Sequence, residues 1–185
     1  MRFMETTMPG LYLLEPKVFG DSRGFFLEGY NKKVFAENGF HIEFVQDNHA
    51  RSEEKGVLRG LHFQLPPGTQ AKLVRVTAGS VFDVAVDLRQ GSPTYGKWEG
   101  FTLSADNKLQ LLVPKGFAHG YLTLEPGTEF QYKVDDYYTP ELDTGIRWND
   151  PDIGVEWPVR DVILSDRDTK QPFLKDSPPP FVFEG

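Results

Sequence analysis

The 185-residue chain carries 27 acidic and 20 basic side chains, a net charge of −7, and no cysteine. That acidity opposes a nucleic-acid partner, and the missing thiols exclude disulfides, thiolate metal sites and cysteine nucleophiles while suiting a cytoplasmic setting. With 39% hydrophobic residues, 14% aromatics, no membrane-spanning apolar run and no signal-peptide core, the sequence reads as one soluble globular domain over residues 1–185.

Residues Leu11 to Phe19 alternate loosely and reach the turn Gly20-Asp21-Ser22-Arg23-Gly24, after which Phe25 to Tyr30 resumes the pattern: strand, turn, strand. Phe26 and Glu28 share a face there. Glu28 therefore points toward a cavity with Arg23 nearby or, taking each residue alone, both simply meet water. Asn31 can cap a short helix through Ala36 and Glu37 that closes at Gly39. Ile42 to Asn48 predicts another strand, ending in the polar triplet Gln46-Asp47-Asn48.

The stretch Gly56 to Leu65 is an apolar strand carrying one cation and one imidazole. Strict alternation sets Leu58, Gly60, His62 and Gln64 on one face and Arg59, Leu61, Phe63 and Leu65 on the other. Arg59 and His62 can share a cavity only if the strand bulges or twists sharply near Gly60. Without that, His62 is a core histidine and Arg59 a surface cation.

After a loop from Leu65 to Gln70, the strand Ala71 to Thr77 places Lys72, Val74 and Val76 on one face, and the turn Ala78-Gly79-Ser80 joins it as a hairpin to Val81 to Leu88. There Phe82, Val84, Val86 and Leu88 form an apolar face, so Asp83 and Asp87 look the other way. If that side is enclosed too, Asp83 needs a cation or donors, because an isolated buried carboxylate is costly. Lys72 is the candidate.

Trp98 to Leu103 and Leu109 to Val113 are further strands. Tyr121 to Leu124 and Thr128 to Val134 predict a hairpin across Glu125-Pro126-Gly127, with Phe130, Tyr132 and Val134 on one face. A turn-rich stretch, the short apolar Val162-Ile163-Leu164 and a proline-rich tail complete the chain. Many short strands separated by Gly/Pro turns predict an all-β sandwich or barrel with few, short helices.

Pro114-Lys115-Gly116-Phe117-Ala118-His119 is similar to the second motif of the metal-binding cupins, which are jelly rolls. The first cupin motif is incomplete: Gln64 stands where a second histidine is expected, and Lys72 is the nearby charged residue instead of a glutamate. Two histidines without a carboxylate make a poor metal site, so the expectation is a cupin-like jelly roll with no metal and acid–base groups in its pocket.

The motifs Arg23-Gly24-Phe25-Phe26, Val45-Gln46-Asp47-Asn48-His49, Leu58-Arg59-Gly60-Leu61-His62, Gly116-Phe117-Ala118-His119-Gly120 and Tyr137-Tyr138-Thr139-Pro140 occur in this order, within a stretch running from Glu15 to Asp168. In these the chain resembles the dTDP-4-dehydrorhamnose 3,5-epimerases. The resemblance implies a homodimeric, cofactor-free jelly roll that inverts two carbons of a dTDP-4-keto-6-deoxyhexose. It implies His62 as the base, oriented by Asp168, with Lys72 stabilising charge on O4 and Tyr132 donating a proton from the other face. It carries nucleotide contacts onto Arg23, Glu28, Gln46, Asp47, Asn48, Arg59, His119 and Arg167, and stacking on thymine onto Tyr138. Asp143 falls where relatives commonly have glutamate and Arg167 where lysine is common; both keep their charge. Three rivals stay open at this point: an epimerase or ketoisomerase acting at one carbon, a non-catalytic carbohydrate-binding jelly roll, and, weakened by the missing ligands, a metal-dependent cupin.

Overall fold

The computed structural model describes residues 1–184. Its strands are β1 (Arg2–Glu5), β2 (Tyr12–Glu15), β3 (Val18–Asp21), β4 (Gly24–Leu27), β5 (Gln46–Ser52), β6 (Leu58–Gln64), β7 (Lys72–Ala78), β8 (Ser80–Asp87), β9 (Trp98–Ser104), β10 (Gln110–Val113), β11 (Phe117–Thr123), β12 (Thr128–Val134) and β13 (Asp143–Gly145). One helix, α1 (Lys32–Glu37), and a 3₁₀ turn at Asp168–Lys170 complete the described elements. A six-stranded sheet in the order β1-β2-β10-β7-β12-β5 faces a five-stranded sheet, β13-β6-β11-β8-β9, while β3 and β4 form a separate ribbon. The expected all-β sandwich is what the chain builds.

Alternation fills the space between the sheets. Val74, Val76, Leu111, Val113 and Phe130 come from one wall, and Val81, Ala85, Leu103, Phe117 and Tyr121 from the other. Fully burying side chains of this size contributes about 1.5–3 kcal/mol each. The outer face of the five-stranded sheet, with Leu61, Val84, Val86 and Ala118, is covered by Ile146, Ile153, Leu174 and Phe181 of the C-terminal third. Phe35 of α1 covers Leu14, Leu73 and Leu112 on the opposite outer face. Asn31 caps α1 by accepting from the backbone N–H groups of Lys33 and Val34, as expected for an asparagine before a short helix.

Several sequence-level boundaries are corrected. The run from Leu11 to Phe19 is two strands, because Pro16 between them has no N–H for a ladder. The strand expected over Ile42 to Asn48 begins instead at Gln46, since Ile42 and Phe44 are drawn onto the Phe35 cluster. The polar triplet thus starts a strand. Neither expected hairpin forms: β7 and β8 belong to different sheets, as do β11 and β12, so the turns at Gly79 and Glu125-Pro126-Gly127 cross the sandwich. Gly79 has φ +70°, and a Cβ there would stand 2.4 Å from Thr128 Oγ1.

In β6, His62 pairs with His119 but Arg59 pairs with Tyr121, so three steps on β6 oppose two on β11. This is a bulge. Gly60, at φ +154°, sits inside it, where a Cβ would lie 2.6 Å from the Cα of Gly120. The extra residue returns Arg59 to the same cavity as His62 and sends Leu61 to the outer core.

Candidate active site

Two concavities of similar size flank the six-stranded sheet. A groove of about 480 Å³ on its outer face contains His49, Arg75 and Lys133. His49 is taken by Glu129 at 3.1 Å and Lys133 by Asp47 at 2.7 Å. The other, a cavity of about 450 Å³ between the sheets, brings together Arg59, His62, Lys72, His119, Tyr132 and Asp168. The acid–base chemistry is concentrated there.

His62 projects from the five-stranded sheet, while Lys72 on β7 and Tyr132 on β12 project from the facing six-stranded sheet. A ligand between the walls would thus meet the imidazole on one side and the phenol on the other. Asp168 reaches His62 from 106 residues away, with Nε2 donating to Oδ1 at 2.5 Å. The approach is built by Leu58 N–H donating to the carbonyl of Ile163, which lays that segment along β6, and by Ser165 Oγ accepting from the N–H of Asp168. Burial would raise the Asp168 carboxyl, but the hydrogen bond and charge of His62, the Ser165 hydroxyl and Arg167 hold it below its ordinary value. With Nε2 engaged by Asp168, Nδ1 is the ring nitrogen left to exchange a proton with a ligand.

Burial pushes the Lys72 ammonium down to about 8, against the opposing pull of Asp143 and Asp83. It remains largely a cation at neutral pH. Burial, aided by the charge of Asp143, raises the Tyr132 phenol above its ordinary value and keeps it protonated. A base with an orienting carboxylate, a cation and a protonated phenol form a set suited to removing a proton beside a carbonyl and returning one from the opposite side.

His119 and Asp83 are a second buried pair, with Nε2 2.9 and 3.0 Å from the two carboxylate oxygens. Asp83 is wholly enclosed, so the side opposite the apolar face is covered too and the carboxylate needs a partner. Its donor is His119 rather than Lys72, because the strands bearing Asp83 and Lys72 lie in different sheets while β8 and β11 are ladder neighbours. Gln64 is structural: its amide donates to the carbonyls of Gly68 and Tyr137 and accepts from Thr139 N–H. No group of three His, Asp or Glu side chains able to hold a metal occurs among the described residues.

At the mouth, Asp143 accepts from Arg167 at 2.6 Å and from the Tyr138 hydroxyl at 3.1 Å. The Tyr138 ring is largely exposed. Gln46 accepts from Tyr138 N–H and donates to Asn48, tying the start of β5 to the same rim. Asp47 alternates to the outer face, where it binds Lys133 and, with Asn48 and His49, borders the other groove. Arg23 and Glu28 are also not at the cavity of their own chain: the ribbon leaves both sheets, and Arg23 is exposed and held by Asp21 at 2.6 Å. The expectation that Glu28 points into a cavity is corrected, since it is exposed.

Tyr121 was missed by sequence reasoning. It lines the cavity because it is two residues after His119 on one strand, a spacing that places both on one face.

Residues 5–176 match the family model described as dTDP-4-dehydrorhamnose 3,5-epimerase. The dTDP-4-dehydrorhamnose 3,5-epimerase of Shigella flexneri is 55% identical over 169 residues, covering 91% of this chain and 93% of that protein. Among solved structures, the Bacillus anthracis dTDP-4-dehydrorhamnose 3,5-epimerase with TDP and PPi bound is 53% identical with a TM-score of 0.92, covering 94% of this chain and 99% of that one. The Legionella pneumophila dTDP-6-deoxy-D-glucose-3,5-epimerase in complex with dTDP-4-keto-L-rhamnose is 46% identical with a TM-score of 0.93, covering 98% of each chain. With a match across nearly its whole length, the chain belongs to the dTDP-4-dehydrorhamnose 3,5-epimerase family.

Proposed function

We propose that this chain converts dTDP-4-dehydro-6-deoxy-D-glucose into dTDP-4-dehydro-L-rhamnose by inverting C3 and C5. The observation that carries this reading is the carboxylate-oriented His62 on one wall of a cavity with Tyr132 on the facing wall. Both carbons adjoin the C4 ketone, so a base can remove either proton if the enolate is stabilised. His62 is the base, Asp168 holds its proton on Nε2, Lys72 meets the charge developing on O4, and Tyr132 returns a proton on the opposite face. Arg59 and Arg167 bind the diphosphate end, His119 is a substrate-binding group deeper in the cavity, Tyr138 stacks on thymine, and Gln46, Asn48 and Asp143 hold the rim. No metal or cofactor enters a step, and the setting is cytoplasmic. No helix of the described residues is long and apolar enough to cross a membrane.

Incubation with the 4-keto substrate in heavy water is expected to place deuterium at both C3 and C5 while the inverted product accumulates, at a rate unchanged by exhaustive chelation. Label at a single carbon would make the chain a one-carbon epimerase or ketoisomerase. No label would make it a sugar-binding jelly roll, and loss of turnover restored by one divalent ion would return it to the metal cupins.

Because the active Lys72 is the ammonium, its contribution is present below pH 8 and lost as the pH rises through about 8. A descending alkaline limb in kcat/KM centred there is therefore expected. A profile flat to pH 10 would remove Lys72 from the role.

The reading includes a homodimer, supported by Phe19, Phe25 and Phe26, which the ribbon leaves 52%, 62% and 69% exposed. β1 pairs with β2 of its own chain and ends the six-stranded sheet, so its outer edge is available to a second copy. In that dimer Arg23 and Glu28 serve the partner's cavity. Sedimentation at micromolar concentration is expected to give twice the chain mass; an active monomer would overturn both assignments.

A further inference from the structure

The cavity contains a second phenol that none of these roles uses. Tyr121 stands on β11 between the two walls, its ring stacked on Phe130 at 3.9 Å between centroids and 16° between planes. Phe130 alternates with Tyr132 on β12, so the stack ties the β11 wall to the strand bearing the proposed proton donor. Tyr121 is only 5% exposed, whereas Arg59, opposite it in register, is exposed at the rim. Tyr121 is thus on the floor. A buried phenol ordinarily finds a hydrogen-bond partner in the protein. Its hydroxyl makes no hydrogen bond to another described residue and is not sealed off, so it opens into the same cavity as Lys72, His119 and Tyr132.

We propose that the Tyr121 hydroxyl is a further substrate-binding group, donating a hydrogen bond to an oxygen of the hexose. Depth decides between the two ends of the substrate. The guanidiniums of Arg59 and Arg167 are at the open side, where a diphosphate keeps contact with solvent, and the floor beside His62 and Lys72 is where the reacting ring must lie. Burial raises the phenol well above its ordinary value against the opposing charge of Arg59, with the Tyr132 phenol and Asp83 adding to the rise, so it stays a donor throughout the working pH range. The inference rests on the epimerase reading.

Tyr121→Phe keeps the ring, its stack on Phe130 and the shape of the floor while deleting the donor. Calorimetric titration with dTDP and with a dTDP-hexose, alongside the heavy-water assay, tests it. The expected result is a loss of about tenfold in dTDP-hexose affinity and in kcat/KM, with dTDP affinity within about twofold and an unchanged melting temperature. Equal affinity for the dTDP-hexose in wild type and variant would overturn the inference and leave the phenol as packing. An equal loss for dTDP and dTDP-hexose would overturn it as well, by placing the hydroxyl at the nucleotide end. Wild-type protein that binds the dTDP-hexose but exchanges no deuterium would instead overturn the epimerase reading.

Discussion

His62→Ala is expected to stop deuterium entering C3 and C5, lowering the exchange rate by about two to four orders of magnitude, the usual contribution of a positioned base. Two imidazoles line the cavity with an enclosed carboxylate on one nitrogen; that of His62 is 27% exposed toward it, whereas that of His119 is 7% exposed and bonded to both oxygens of Asp83. Lys72 is a cation at neutral pH and Tyr132 a protonated phenol, so neither can take over the abstraction. Nucleotide affinity should survive, because Arg59, Arg167 and Tyr138 are untouched and His62 is only partly enclosed. The substitution does strand Asp168, 3% exposed, without its imidazole partner, so a loss of stability accompanies the loss of rate. Exchange must therefore be compared below the variant's unfolding transition. Near-native exchange would move the base to another residue.

Tyr132→Phe should separate two activities that travel together in the wild type. Epimerisation requires proton removal on one face and return on the other, whereas exchange with solvent requires only a base that removes and returns a proton on its own face. The variant keeps the ring near Phe130, and His62 and Lys72 remain, so the enolate still forms. The expected outcome is measurable deuterium incorporation with inverted product reduced by at least about a hundredfold. Inversion of both carbons at the native rate would make Tyr132 only a wall of the cavity. Simultaneous loss of exchange and inversion would assign its hydroxyl to enolate stabilisation or binding, and the opposite-face role would fall.

The all-β class, the helix at Asn31 and the inward side of most strands were legible because they depend on local spacing. A period of two shows which residues share a face, and Gly, Pro and Asn mark where a strand cannot continue. That Asp83 turns away from the apolar face of Val84, Val86 and Leu88 followed from alternation, whereas its burial was decided by the facing sheet. The cupin-like motifs around His62 and His119 pointed only to a pocket short of metal ligands; Asp168 and Tyr132 entered the acid–base set through the family resemblance. The ribbon's exposed phenylalanines could not be read that way, since alternation does not tell whether a face is covered by the same chain.

What the sequence by itself determined was therefore the list of chemically capable residues and the two faces of each strand. Only the tertiary structure decided which faces meet. Pairing between strands distant in the chain is set by packing and register, neither of which leaves a local signal. Thus Asp83 took His119 as its partner once β8 and β11 became neighbours, and the turns expected to close hairpins carried the chain across the sandwich. Asp168 reached His62 across 106 residues because segment 163–168 was laid along β6. At Gly60 the two levels meet: glycine permitted a bulge, but its use, which put Arg59 beside His62, was decided by the close approach of Gly120 on the neighbouring strand.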